Sequence, residues 1–174
     1  MRWRILALLS AVFIGLVVLT GVMHAAADYD HQTLANQLGA QQITMPTAAA
    51  LKGMAQVDVD ALAPYAGQPM TTGGQAEAYA DHYIAVHLRE MGKTYSQASA
   101  AARTNPKDAQ AAALEQTVFQ GTTLRSMLLN AWGWSQVGDD VALGSWVMAG
   151  LALVTWLAFM FELVVAPRYP RTAL

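Results

Sequence analysis

Two long apolar segments lie near the ends of the chain, on either side of a more polar middle. Residues 5–23 contain no charged side chain. Nineteen helical residues extend about 28 Å, close to the roughly 30 Å hydrocarbon core of a bilayer. Residues 141–166 contain one ionisable side chain, Glu162. Because lipid offers no hydrogen-bond partner to the backbone, each segment is predicted to be a transmembrane helix.

Basic residues flank the apolar segments on their outer sides, where the positive-inside rule places them in the cytoplasm. They are Arg2, Arg4, Arg168 and Arg171. Residues 24–140 carry six Lys/Arg against eleven Asp/Glu, as suits an extracytoplasmic segment. The pattern predicts a multi-pass protein of the cell membrane, with residues 1–4 and 167–174 as cytoplasmic termini.

Aromatic residues support this assignment at the second apolar segment. Trp132, Trp134 and Trp146 surround its start, and tryptophan is enriched at the membrane–water interface. We expect this cluster at the outer interface, with Asp139 or Asp140 capping the second transmembrane helix.

The first apolar segment has an alternative interpretation as a cleaved signal peptide. Ala25-Ala26-Ala27 followed by Asp28 resembles a signal-peptidase site, and the segment follows a basic start. Its nineteen residues exceed the usual signal core of about 7 to 15, which favours a retained signal anchor. In both interpretations the middle of the chain lies outside the cytoplasm.

Residues 24–140 are predicted to form a helical domain, which makes the chain all-α with two transmembrane helices flanking that domain. Thr72 and Gln75 have capping-box spacing, and Asn105-Pro106 is typical of a helix start. Asp30 and Gly39 are typical of a start and an end. The predicted helices cover residues 31–38, 75–91, 95–103 and 106–132. Residues 41–74 are expected to be mainly loop, with a possible short helix at 48–54.

The composition excludes several classes of function. The net charge is −2 and residues 24–140 contain no basic cluster, so nucleic acid is not an expected partner. The chain has no cysteine, which removes disulfides, thiolate metal sites and thiol nucleophiles. No Gly-x-Ser-x-Gly or phosphate-binding loop is present. We therefore predict no enzymatic activity, no catalytic residue and no cofactor.

Potential metal ligands are concentrated at Asp81, His82, His87 and Glu90, but their spacing does not favour a site. Only His87 and Glu90 have the separation of three or four that places ligands on one helix face. A closed zinc site needs four ligands, so no metal site is predicted. The methionines are scattered along the chain, which is typical of core residues rather than of a copper site.

Tyr79, Tyr83 and His87 share one predicted helix face and are weak candidates for a ligand-binding surface, together with Arg125. Arg125 stands between Leu124 and Leu128 on the predicted 106–132 helix. We expect it to pair with a carboxylate of the neighbouring helix, such as Asp81 or Glu90.

Several short stretches resemble a group of uncharacterised actinobacterial membrane proteins. They are Tyr65-Ala66-Gly67-Gln68, residues 75–84 (QAEAYADHYI), Lys93-Thr94-Tyr95-Ser96-Gln97, Gly121-Thr122-Thr123-Leu124-Arg125 and Leu128-Leu129-Asn130-Ala131. The resemblance covers most of residues 41–134 and implies two spans with an outer helical domain. It implies no activity and no site residue.

These observations favour a non-enzymatic structural or interaction component of the cell envelope. Its expected partners are the lipid bilayer and other membrane proteins or a second copy of the chain. The alternative is an extracytoplasmic protein that binds a small molecule or a metal. A filled core with an exposed apolar strip favours docking, and a pocket lined by the four candidate residues favours ligand binding.

Overall fold

The computed structural model describes residues 2–164, and its regular elements within that range are helices. They are α1 (Arg2–Ala40), α2 (Gln56–Leu62), a 3₁₀ turn (Ala63–Tyr65), α3 (Gly73–Ala78), a π-helical segment (Tyr79–Ile84), α4 (Ala85–Glu90), α5 (Tyr95–Thr104) and α6 (Ala109–Val164). The one β-type pairing in this range is an isolated bridge between Thr44 and Pro69. The all-α prediction is confirmed. Residues 165–174 of the predicted second span and C-terminus, with Arg168 and Arg171, lie outside the described range.

The described part of the chain divides into two compact units, one formed by residues 2–30 and 137–164, the other by residues 31–136. In the first unit, α1 and α6 are long and apolar enough to cross a membrane. Their apolar side chains are largely uncovered: Leu8, Ile14, Val18 and Val22 are 59–66% exposed. Both apolar segments are thus confirmed as helices with apolar outer surfaces.

The two long helices of this unit contact each other at two levels. The Arg2 guanidinium donates to the backbone oxygens of Glu162 and Leu163, at 2.7 and 3.1 Å. A Cβ on Gly144 would lie 2.6 Å from the terminal methyl of Met23, so the absence of a side chain permits this close approach. The two helices therefore approach closely at Gly144, whereas a Cβ on Gly15, Gly21 or Gly150 would meet nothing within 4 Å.

Both long helices extend further than the sequence predicts. α1 continues through Asp30 and Gly39, so the separate helix at 31–38 was a wrong prediction. Asp139 and Asp140 lie inside α6, where no cap is needed. α6 begins at Ala109 rather than at Pro106, because the Asp108 carboxylate accepts from the N–H groups of Gln110 and Ala111, both at 3.0 Å.

The unit of residues 31–136 has a filled core. Its members come from α1, the 41–54 loop, α2, the helices around the π-helical segment, and α6. They are Leu38, Met45, Leu51, Leu62, Met70, Ala76, Ala78, Ala80, Ile84 and Leu128. Met45 and Met70 are fully buried and Met54 packs against the core, which confirms the core interpretation of these methionines.

The loop that the sequence leaves undefined is held by backbone hydrogen bonds and by a helix. The Met45 N–H donates to Gln68 and the Met70 N–H to Ile43, at 2.8 and 2.9 Å. Residues 48–54 form turns instead of the possible short helix, and α2 follows them. The fixed loop positions α2 so that Asp58 lies next to the π-helical segment.

The helix predicted at 75–91 is confirmed, with an unpredicted π-helical segment at its centre. The Thr72–Gln75 capping box is present at its start. Gly92 follows its end with φ of +69°, and its N–H donates to the Arg89 oxygen at 3.0 Å. α5 matches the helix predicted at 95–103, and a second capping box, Thr94 with Gln97, begins it.

Gly73, at the start of α3, is required by a close approach to α6. A Cβ at this position would lie 2.4 Å from the Ser135 Cβ and closer still to its hydroxyl. Ser135 is buried, and its hydroxyl donates to the Trp132 oxygen at 2.7 Å. Gly73 is therefore a packing residue, because a side chain there would collide with Ser135.

We expect Gly73→Ala to lower the free energy of unfolding by roughly 1–3 kcal/mol, as inserted methyl groups do in filled cores. Gly133→Ala is the matched control, because a Cβ there meets nothing within 4 Å and alanine favours the helix. Thermal denaturation of the detergent-solubilised protein measures both. Equal melting temperatures for the two variants would contradict the proposed contact.

Candidate functional site

The π-helical segment brings three of the candidate residues into one stack. The rings of Tyr79 and Tyr83 lie 5.0 Å apart between centroids, and those of Tyr83 and His87 lie 4.4 Å apart. The His87 Nδ1 is 2.7 Å from the Tyr83 backbone oxygen. π-helical turns are rare and often occur at functional sites. The structure thus assembles the predicted aromatic face, with His87 exposed at one end.

Tyr79 and Tyr83 are the partly buried members of this stack. Desolvation by burial, followed by the proximity of Tyr83, raises the pKa of Tyr79 above its usual value near 10. Its hydroxyl is therefore protonated at neutral pH. A protonated phenol is able to donate a hydrogen bond but does not act as a base.

Arg125 pairs with Asp81, as the sequence predicts. The guanidinium Nη2 donates to the Asp81 carboxylate at 2.6 Å, which connects α6 to the π-helical segment. Arg125 and Asp81 are 39% and 35% exposed, so solvent weakens the attraction between them. The Arg125 Nε atom is buried and makes no hydrogen bond. The pair fixes the position of the guanidinium while leaving it donors for another acceptor.

A second pair, His82 with Asp58, was not predicted from the sequence. The His82 Nδ1 lies 2.8 Å from the Asp58 carboxylate, which is almost fully buried. His82 thus contacts α2 through its Nδ1 atom. The sequence signal for α2 is weak because the helix has only seven residues, although Val59 and Leu62 have helical spacing.

Arg125 also lines a groove of about 630 Å³ on the 31–136 unit. The lining comes from α4, the turn after it, α5 and α6. It comprises Ala85, Leu88, Arg89, Gly92, Lys93, Thr94, Tyr95, Gln97, Val118, Thr122 and Arg125. Three of these residues are basic and none is acidic. Tyr79, Tyr83 and His87 do not belong to the lining, so the candidate residues divide between an aromatic stack and this basic groove.

The side of α6 that faces away from the core carries an exposed apolar strip. Phe119, Met127 and Trp134 are 47%, 65% and 58% exposed. Spacings of eight and seven residues place them on one helix face, with Thr123 between the first two. The Phe119 ring packs against Tyr95, with 5.6 Å between centroids. A shallow depression of about 350 Å³ lies along the Phe119–Met127 part of the strip.

Within residues 2–164, no group of three or more His, Asp or Glu side chains is placed to hold a metal ion. His87 and Glu90, the one pair with suitable spacing, gain no third ligand there.

Comparison of this chain with protein-family models, with curated proteins and with solved structures finds no match.

We expect Arg125→Met to lower the free energy of unfolding by up to about 1 kcal/mol, the range of partly exposed ion pairs. Asp81→Asn should have a similar effect. The double variant should be less destabilised than the sum of the two, because both changes remove the same pair. Chemical denaturation in detergent provides the three values. Strict additivity, or an unchanged stability of Arg125→Met, would show that the pair contributes nothing.

Proposed function

We propose that this chain is a non-enzymatic membrane protein whose helical unit, residues 31–136, lies outside the cytoplasm and docks onto other membrane proteins of the envelope. The apolar parts of α1 and α6 cross the bilayer in this proposal, and both termini are cytoplasmic. The exposed strip formed by Phe119, Met127 and Trp134 carries the docking proposal.

The outer surfaces of α1 and α6 support the membrane location. Exposed apolar area costs about 25 cal/mol per Å² in water, and lipid removes that cost. The contact of Arg2 with the Glu162–Leu163 backbone supports a common side for both termini, because it brings the start of α1 to the end of α6. The basic flanks of the sequence support the cytoplasm as that side.

Helix α1 supports a retained first span. Ala25, Ala26 and Ala27 lie inside this helix, and Ala27 is 2% exposed. Cleavage after Ala27 would remove the segment that contacts the end of α6.

Docking is supported because the core is filled while a row of large apolar side chains remains uncovered. Protein–protein interfaces are enriched in aromatic residues and methionine, which are the types found on the strip. The strip lies on the same continuous helix as the proposed second span. A partner that is itself held in the membrane meets this surface at a high effective concentration.

Photo-crosslinking in intact cells tests the docking surface. A benzoylphenylalanine residue placed at Met127 should form a discrete adduct with a membrane protein or with a second copy of the chain. The same residue at exposed Lys107 is the control and should not form that adduct. Phe119→Asp should abolish the Met127 adduct, because a buried unpaired charge opposes apolar contact, and Gln110→Asp should leave it unchanged. Identical adducts from positions 127 and 107 would refute the docking surface.

Ligand binding outside the cytoplasm is the second candidate function. The observation that favours it is the groove with Arg89, Lys93 and Arg125 in its lining. Because the groove excludes Tyr79, Tyr83 and His87, the aromatic stack is not part of this candidate site.

A further inference from the structure

We propose that the basic groove binds a phosphate monoester carried on a small apolar body. This inference deepens the second candidate function and does not depend on the docking strip. Four features of the groove support it: its charge, the geometry of its donors, its volume and its apolar lining.

The charge of the groove favours a dianion. Arg125 is neutralised by Asp81, whereas Arg89 and Lys93 form no ion pair within residues 2–164. Glu90 stands between them in the sequence but does not belong to the lining. Two uncompensated positive charges therefore remain. A phosphate monoester carries about −1.5 to −2 charges at neutral pH, which balances them better than a single carboxylate does.

The available donors suit phosphate oxygens. The planar guanidinium of Arg89 matches the spacing of two phosphate oxygens, and the Lys93 ammonium provides a compact charge. Arg125 uses one of the five N–H donors of its guanidinium group for Asp81, and its side chain is 39% exposed. Arg125 therefore retains hydrogen-bonding capacity even though its charge is balanced.

The start of α5 adds a smaller contribution at the same place. The Thr94–Gln97 capping box occupies the N–H groups of those two residues. The N–H of Tyr95 belongs to the first helical turn, which has no intrahelical acceptor. The partial positive charge of this helix end adds to that of Lys93, the residue before the cap.

The volume and the remaining lining indicate that the ligand is more than an anion. About 630 Å³ lies within the usual range for small-molecule sites and exceeds what a single phosphate group fills. Ala85 and Leu88 provide apolar surface, and Tyr95 adds an aromatic ring. A bare anion would leave these side chains in contact with water. An apolar body attached to the phosphate would cover them.

Isothermal titration of the purified full-length chain in zwitterionic nanodiscs tests the proposal. Phenyl phosphate and dihexanoyl phosphatidic acid, used below its micelle concentration, represent a free organic phosphate and a lipid headgroup. Inorganic phosphate and dihexanoyl phosphatidylcholine are the reference ligands. We expect saturable binding of at least one of the two monoesters, at least tenfold tighter than either reference.

The variant Arg89→Gln/Lys93→Gln should weaken that binding at least tenfold. Both side chains are exposed, so the fold should persist, and an unchanged melting temperature verifies this. Lys52→Gln/Lys107→Gln is the matched control, because it removes the same charge from exposed positions outside the groove. It should bind like the wild type.

The outcomes are distinct. Tighter binding of the phosphatidic acid assigns the groove to a lipid headgroup, and tighter binding of phenyl phosphate assigns it to a free organic phosphate. No saturable binding of either overturns the proposal, as does equal weakening in both double variants. Equal affinity for inorganic phosphate and phenyl phosphate overturns the proposal that the ligand carries an apolar body. Failure of these tests leaves the Met127 crosslink, and the docking proposal, unaffected.

Discussion

The apolar surface of α1 and α6 is the constraint on which the rest of the molecule depends. Side chains such as Ile14 and Val154 are about 60% exposed and belong to segments with almost no charge. In water this area would favour aggregation, whereas lipid accepts it and requires that the backbone satisfy its own hydrogen bonds. Long uninterrupted helices meet both conditions.

The 31–136 unit depends on small residues and on polar pairs as much as on apolar burial. Gly73 allows α3 to approach Ser135 of α6, and methionines fill the core behind it. Asp58 with His82 and Asp81 with Arg125 then connect the π-helical segment to α2 and to α6. These contacts leave Arg125 at the edge of a groove and the Phe119 strip uncovered, and the two functional proposals follow from that arrangement.

Local signals in the sequence were sufficient for part of this structure. Charge-free length predicts the apolar helices, and the Thr72–Gln75 pair predicts a helix start. The Arg125 pairing was predictable because a cation between leucines needs a carboxylate on the neighbouring helix. Each of these features depends on residues that are close in sequence or on a single strong requirement.

The remaining features depend on contacts between distant residues. Asp30 and Asp139 have the chemistry of helix caps, but a cap forms only where the backbone leaves the helix, and at neither residue does it do so. α2 is too short for its periodicity to be recognised. The π-helical segment and the division of Arg125 from Tyr79, Tyr83 and His87 arise from packing, for which the sequence pattern contains no signal.

Cysteine accessibility in intact cells tests the membrane assignment most directly, since the chain has no native cysteine. Ile14→Cys and Val154→Cys place a thiol on exposed positions of the two proposed spans, and Lys52→Cys places one on the 31–136 unit. A membrane-impermeant maleimide should label position 52 and leave positions 14 and 154 unlabelled until the protein is denatured. Labelling at 14 or 154 in intact cells, or protection at 52, would contradict the account.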